Sequence, residues 1–280
     1  MLDRVAAGDH VCWVVDDDID RTDTAVAFLR TGLAARQQVI YSGDEPAAVL
    51  AALSAAGVDT AEALRARRLQ MYSTAESHLP GGYFDAEATI KRWRGQMNEA
   101  RAEGYPAIRI IGDMTWAAGP VPGVERVGWY EAQVNELFAD GFMAGVCTYD
   151  RRAFDPIDLR RLSMLHPGAA GPALRFDPAS SLRLRSVDQP YGLRLTGEAD
   201  LASRAALAVV LDRTFADADG RVVTVDVSGL RFTDTAAARL LVRAAEARPG
   251  RLRLVGCSAA LVRLLAFHGA GEVSGSSGLS

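Results

Sequence analysis

VVTVDVSGLRFTDTAAARLL, Val222–Leu241, is the stretch whose reading decides the fold. The run Val222–Val227 is apolar except for Thr224 and Asp226, the pattern of a buried parallel strand. Ser228, Gly229 and Leu230 are expected to turn the chain, with Phe232 as a second apolar anchor. Asp234 stands where a helix N-cap belongs, and Thr235–Ala247 is rich in strong helix formers. A strand therefore delivers an Asp-Thr pair to an exposed helix start. The free N–H groups and partial positive charge there favour an anion or a phosphorylated hydroxyl. Ser228 reads by default as a turn residue.

Asp226-Val-Ser-Gly-Leu-Arg-Phe232-Thr-Asp234-Thr235-Ala236-Ala237 resembles the central motif of the STAS family, the domain of anti-anti-sigma factors. Leu193-Arg-Leu-Thr-Gly197-Glu198-Ala-Asp200-Leu201 resembles the early strand and turn of that family. Leu252–Ser258 and Leu261–Leu265 resemble its late strand and last helix. The resemblance implies a small α/β domain that binds a protein partner, an anti-sigma factor of the ATPase-kinase type. In the family the second hydroxyl residue after the Asp is the usual phosphoacceptor. That position here is Ala236, with Thr235 one residue early, so a plain helix start competes with a phosphorylation site.

The chain has 280 residues, enough for two domains, with 49% hydrophobic and 24% charged residues. A net charge of −4 and a pI near 5.6 argue against nucleic acid as a partner. Lys91 is the single lysine among 31 basic residues, which with the abundant Ala reads as bacterial high-GC coding bias. No apolar run reaches the roughly 18–20 residues of a membrane span, and no signal peptide is visible, so no membrane partner is expected. Cys12, Cys147 and Cys257 are few, odd in number and far apart, which fits a cytoplasmic protein.

The first half alternates strands with helices, which means an α/β fold with a mainly parallel sheet flanked by helices. Strands are expected at Val11–Val15, Val39–Tyr41, Leu69–Tyr72, Ala107–Ile111 and Phe142–Tyr149. Asp16–Asp23 is expected as an acidic loop before a helix at Thr24–Arg36, and Val127–Ala139 as one helix. The order resembles a RecA-type ATPase core. A P-loop, however, needs G-x-x-x-x-G-K-[ST] to cradle phosphates. The corresponding residues, Asp16–Asp23, have no Gly, no Lys and four Asp before Arg21, so no ATP binding is expected.

Several short motifs are similar to the MEDS family of sensory domains, related to degenerate RecA-type ATPases. They are His10-Val-Cys12, Tyr41-Ser-Gly43-Asp44-Glu45, Gly112-Asp113-Met114-Thr115-Trp116, Tyr130-Glu131, Cys147-Thr-Tyr149-Asp150 with Phe154, and His166-Pro167. The resemblance implies a sensor of small molecules. The expected organisation is a sensory domain over 1–167, a linker over 168–179, a STAS-like domain over 180–272 and a flexible tail over 273–280.

His10, Cys12, Cys147 and His166 could together bind zinc or another soft metal. Against this, the spacing is not that of a metal motif, and small buried cysteines with loop-bridging histidines are the plainer reading. Asp113 and Glu131 could be a catalytic carboxylate pair, but without a P-loop such acids have no nucleotide to act on. Favoured over catalysis is a pocket at the strand ends lined by Asp113, Trp116 and Tyr130, and the residues expected about a ligand are His10, Cys12, Asp44, Asp113, Trp116, Tyr130, Glu131, Cys147 and His166. Its ligand would be a small molecule or a redox cue. The whole reads as a non-enzymatic regulator whose partner surface is Ser228 with Asp234, Thr235, Ala236 and Ala237. Alternatives are an enzyme, either a degenerate ATPase or a redox enzyme using Cys12, and a structural STAS scaffold. Whether the chain forms a homodimer is left open.

Overall fold

The computed structural model of the chain describes residues 2–171 and 175–269. The expected tail over 273–280 lies outside them. Two sheets organise these residues. The first is built from β1 (His10–Val15), β2 (Gln38–Ser42), β3 (Leu69–Tyr72), β4 (Ile108–Asp113), β5 (Met143–Asp150) and β6 (Gly168–Ala170), in the order β3-β2-β4-β5-β1-β6. Every pairing in it is parallel. Gly168–Ala170, expected as the start of the linker, extends this sheet, with Val11 opposite Gly168.

Side chains alternate between the faces of a strand, and here that splits the core in two. Val11, Trp13, Val39, Tyr41, Ile111, Ala144 and Val146 face α1 (Asp18–Ala34), α2 (Pro46–Ala55) and α3 (Thr60–Arg65). Cys12, Ile40, Ile108, Ile110, Met143 and Tyr149 face α5 (Ala86–Ala102), α6 (Val127–Gln133), α7 (Asn135–Ala139) and α8 (Pro156–Ser163). A short α4 (Thr74–Ser77) follows β3, closed by a capping box between Ser73 and Glu76.

Two expectations for this half are corrected. Asp16–Asp23 is not a loop: α1 starts at Asp18, because Asp17 caps it by accepting from the Asp20 N–H and the acids of its first turn suit the positive end of the helix. Val127–Ala139 is not one helix. It breaks after Gln133, where the Asn135 side-chain amide donates to the carbonyls of Glu131 and Ala132.

The second sheet has the order β10-β9-β8-β7, from β7 (Arg183–Asp188), β8 (Tyr191–Ala199), β9 (Val223–Thr233) and β10 (Leu252–Val255). β7 runs antiparallel to β8 and the other pairings are parallel. Its core is shared with α9 (Arg204–Asp217), α10 (Thr235–Ala247) and α11 (Ala259–Phe267). A third expectation falls here. Ser228, Gly229 and Leu230 do not turn the chain; β9 runs straight through them, and the irregularity is absorbed as register shifts against β8 near Arg194 and Gly197.

The two halves meet along α6 and α7. Ala139 at the end of α7 is buried in the core of the second sheet. Arg183 of β7 pairs with the buried Asp9 carboxylate, Nη2 to Oδ2 at 2.8 Å. Arg185 donates to the Asp140 carbonyl at 3.3 Å. Gly141 lies between them with φ of +78°, and a Cβ there would fall 0.7 Å from an Arg185 nitrogen. The left-handed backbone there favours glycine, and any side chain would displace the exposed Arg185 guanidinium.

Candidate functional site

The period-2 alternation decides which expected site residues can meet. His10 and Cys12 share one face of β1, and Cys147 and Tyr149 share the same face of β5. Glu131 reaches down to that face from α6, and His166 enters just after α8. The result is a buried cluster of His10, Glu131, Cys147 and His166 whose donor atoms all lie within 4.8 Å of one another. His10 Nε2 is 3.4 Å from Cys147 Sγ and 3.5 Å from Glu131 Oε2. His166 Nε2 is 3.2 Å from the same oxygen, and Cys147 Sγ is 3.7 Å from it. Glu131 is fully buried, and the two histidines are about 1% exposed.

Each member is held from behind. The Tyr149 hydroxyl donates to Glu131 Oε1 at 2.6 Å. His10 Nδ1 lies 3.0 Å from Asn135 Oδ1, and its ring stacks on Phe138 with centroids 4.4 Å apart. His166 Nδ1 lies 2.9 Å from the Leu162 carbonyl. Gly145, opposite His10 in the register, leaves the space that the Phe138 ring fills.

Electrostatics follow from burial. Burial and the neighbouring His166 push the His10 pKa down to about 3. Burial opposes ionisation of Glu131, but the attraction and hydrogen bond of His166, with His10 and Tyr149, outweigh it and hold the carboxyl low. Burial and the Glu131 charge push both thiols up, that of Cys12 to about 12.

Beside the cluster is a cavity of about 30 Å³ lined by His10, Tyr130 and Cys147 with His78, Trp93 and Met114. It has room for about one or two waters. Trp116 lies behind His78, ring centroids 5.5 Å apart. The cavity therefore lies against the sheet face under α5 and α6, not at the strand ends.

The other expected residues are elsewhere. Cys12 is on the cluster's face, but its sulfur is not among the four converging donors. Asp44 is exposed after β2. Asp113 and Glu131 do not meet, because Asp113 points off the end of β4 toward α1. There its Oδ2 accepts from Arg21 at 3.2 Å, while its Oδ1 accepts from the Thr115 N–H at 2.9 Å. Arg21 also lies 3.5 Å from Asp150 and pairs with Asp18, and Arg152 binds Asp150 and Asp18, each at 2.6 Å. Arg151 holds Asp16 at 2.9 Å. Off these strand ends three guanidiniums meet four carboxylates.

Sequence reasoning missed Asn135 and His78. The first was hidden inside an expected helix, and the second lies outside every expected strand and helix. His78 is buried, its Nδ1 3.1 Å from Ser42 Oγ.

On the second sheet, the Asp234 side chain accepts from the Ala237 N–H at 2.8 Å and so caps α10. Thr235, Arg239 and Arg243 are exposed, as are Phe232 at 52% and Ser228, while Ala237 is buried and Ala236 half-buried. Ser228 is tied to Asp226, Oγ to Oδ1 at 2.6 Å.

Residues 9–167, more than half of the chain, match the family model described as MEDS: MEthanogen/methylotroph, DcmR Sensory domain. Residues 182–275 match the model described as Mlab, STAS domain. No curated protein matches the chain. No helix among the described residues is long and apolar enough to cross a membrane.

Proposed function

Because the chain belongs to the MEDS sensory-domain family and carries a STAS domain behind it, we propose that it is a non-catalytic cytoplasmic regulator of the anti-anti-sigma type. A signal received on the α5–α8 face of the first sheet controls how the second half presents Phe232, Thr235 and α10 to an anti-sigma factor of the ATPase-kinase type. The observation that carries this reading is the position of α6 and α7. These helices supply Glu131 and Asn135 to the buried cluster, and at their far end Ala139 sits in the core shared by β7, β8 and α9. A change at the cluster is thus one helix away from the output half. Control through this contact suits a domain with Ala236 at the usual phosphoacceptor position.

The test is binding of the full chain to the kinase-type anti-sigma factors of the source organism, before and after incubation with kinase and ATP. Binding should survive the incubation. Thr235→Ala should leave the affinity nearly unchanged, and Thr235→Glu should weaken it by bringing charge to the α10 start. Stoichiometric phosphate on Thr235 that abolishes binding would mean that the switch had moved by one residue and that control by docking is wrong.

A further inference from the structure

The hydrogen bonds around the cluster fix which ring nitrogens carry protons. The Asn135 amide nitrogen donates to three carbonyls, those of Glu131, Ala132 and Leu165. Its Oδ1 is therefore an acceptor, and His10 Nδ1, 3.0 Å away, must be the donor. The Leu162 carbonyl can only accept, so His166 Nδ1 also carries its proton. In the neutral rings both Nε2 atoms then present lone pairs. Both point at Glu131 Oε2, which has lone pairs of its own, and His10 Nε2 also points at Cys147 Sγ. His166 Nε2 is fully buried with no hydrogen-bond donor to meet it. Unless a proton on His166 Nε2 bridges to Glu131 Oε2, 3.2 Å away, or a cation fills the centre, four electron-rich atoms converge with nothing positive between them, a costly arrangement.

The spacing also suits a cation. Tetrahedral zinc with bonds of about 2.0–2.3 Å sets neighbouring donors about 3.3–3.8 Å apart. Four of the separations here are 3.2, 3.4, 3.5 and 3.7 Å, and none exceeds 4.8 Å. The support from behind matches as well. Ligating histidines donate their other N–H to a carbonyl or carboxamide, and ligating carboxylates are themselves hydrogen-bonded, as Glu131 is by Tyr149.

We infer that His10, Glu131, Cys147 and His166 form a binding site for a divalent ion of borderline softness, zinc above all. Two imidazole nitrogens, one thiolate and one carboxylate oxygen make a donor set that zinc accepts and that calcium and magnesium do not favour. Without metal, the centre is satisfied by the Cys147 thiol proton and a proton between His166 and Glu131. Binding of the dication releases both, so the charge of the cluster is the same before and after. This inference stands whether or not the partner of the second half is an anti-sigma factor.

The experiment uses the full-length chain purified without chelator, its metal content measured by mass spectrometry, then stripped and titrated with Co2+. About one equivalent of metal per chain is expected, with the intense visible bands of tetrahedral Co2+ and a near-ultraviolet thiolate charge-transfer band. Cys147→Ser should remove the charge-transfer band, and Cys12→Ala should keep it. His166→Gln should loosen the metal by more than about 100-fold. Tyr149→Phe, which deletes one hydroxyl and keeps the packing, should loosen it by about 10–100-fold and serves if His166→Gln does not fold. A native-like chain that carries no stoichiometric metal and takes up no Co2+ would overturn the site and leave protons as the occupants of the cluster. A thiolate band that survives Cys147→Ser would overturn the ligand set.

Discussion

The strand-end arginine–aspartate network and the face-buried histidine–cysteine–glutamate cluster are built on the same strands, yet they solve opposite electrostatic problems. Tyr149 and Asp150 are neighbours on β5; one faces the cluster and the other the network. At the strand ends Arg21, Arg151 and Arg152 balance Asp16, Asp18, Asp113 and Asp150, and most of these charges keep some contact with water. On the sheet face one carboxylate meets two imidazoles and a thiol with almost no solvent. The difference teaches that one sheet can close its strand ends with paired counter-ions while its face keeps a buried set of lone-pair donors without a matching set of cations.

Substitutions should separate the two sites sharply. Glu131→Ala leaves two buried imidazoles without their carboxylate and opens a void; removal of one partner from a buried pair costs about 3–5 kcal/mol. Chemical denaturation should show a loss of that size. A loss below about 1 kcal/mol would mean that Glu131 is not the centre of the cluster. Arg21→Ala strips Asp113 of its guanidinium but leaves Asp150 with Arg152, so about 1–3 kcal/mol is expected by the same assay. Asp18→Asn, at an exposed carboxylate, should be indistinguishable from wild type in stability. ATP titrated into the wild-type chain should give no binding heat. Micromolar affinity, lost on changing residues 16–23, would show that the strand ends still hold nucleotide.

Much of this architecture is legible in the sequence because it rests on local pattern. Alternating strands and helices give the parallel sheet, and α10 begins and ends where the Asp234 cap and the helix formers place it. The residues His10, Cys12, Cys147 and His166 stand out by type alone. Strand parity could also have separated Asp113 from Cys147. What local pattern does not contain is facing across elements. Glu131 replaces Cys12 in the converging set because α6 crosses above β1 and β5, and no spacing in the sequence encodes that crossing. The Asn135 break was missed because a carboxamide bonded to the preceding turn looks like any helical polar residue. Ser228-Gly229 reads as a turn by composition, but pairing with β8 overrides it and keeps β9 extended.

The central claim is that the first half governs what the second half presents, through the contact of α6 and α7 with β7 and α9. The most direct measurement is the dissociation constant of the full chain for the anti-sigma factor proposed as its partner, wild type against Gly141→Ala. That substitution strains a left-handed backbone position and displaces the Arg185 guanidinium from the Asp140 carbonyl, so it loosens the contact without touching the cluster or α10. The account predicts a shift of about fivefold or more in affinity, the lower end of ordinary coupling between sites. An unchanged dissociation constant, with both halves still folded, would contradict it.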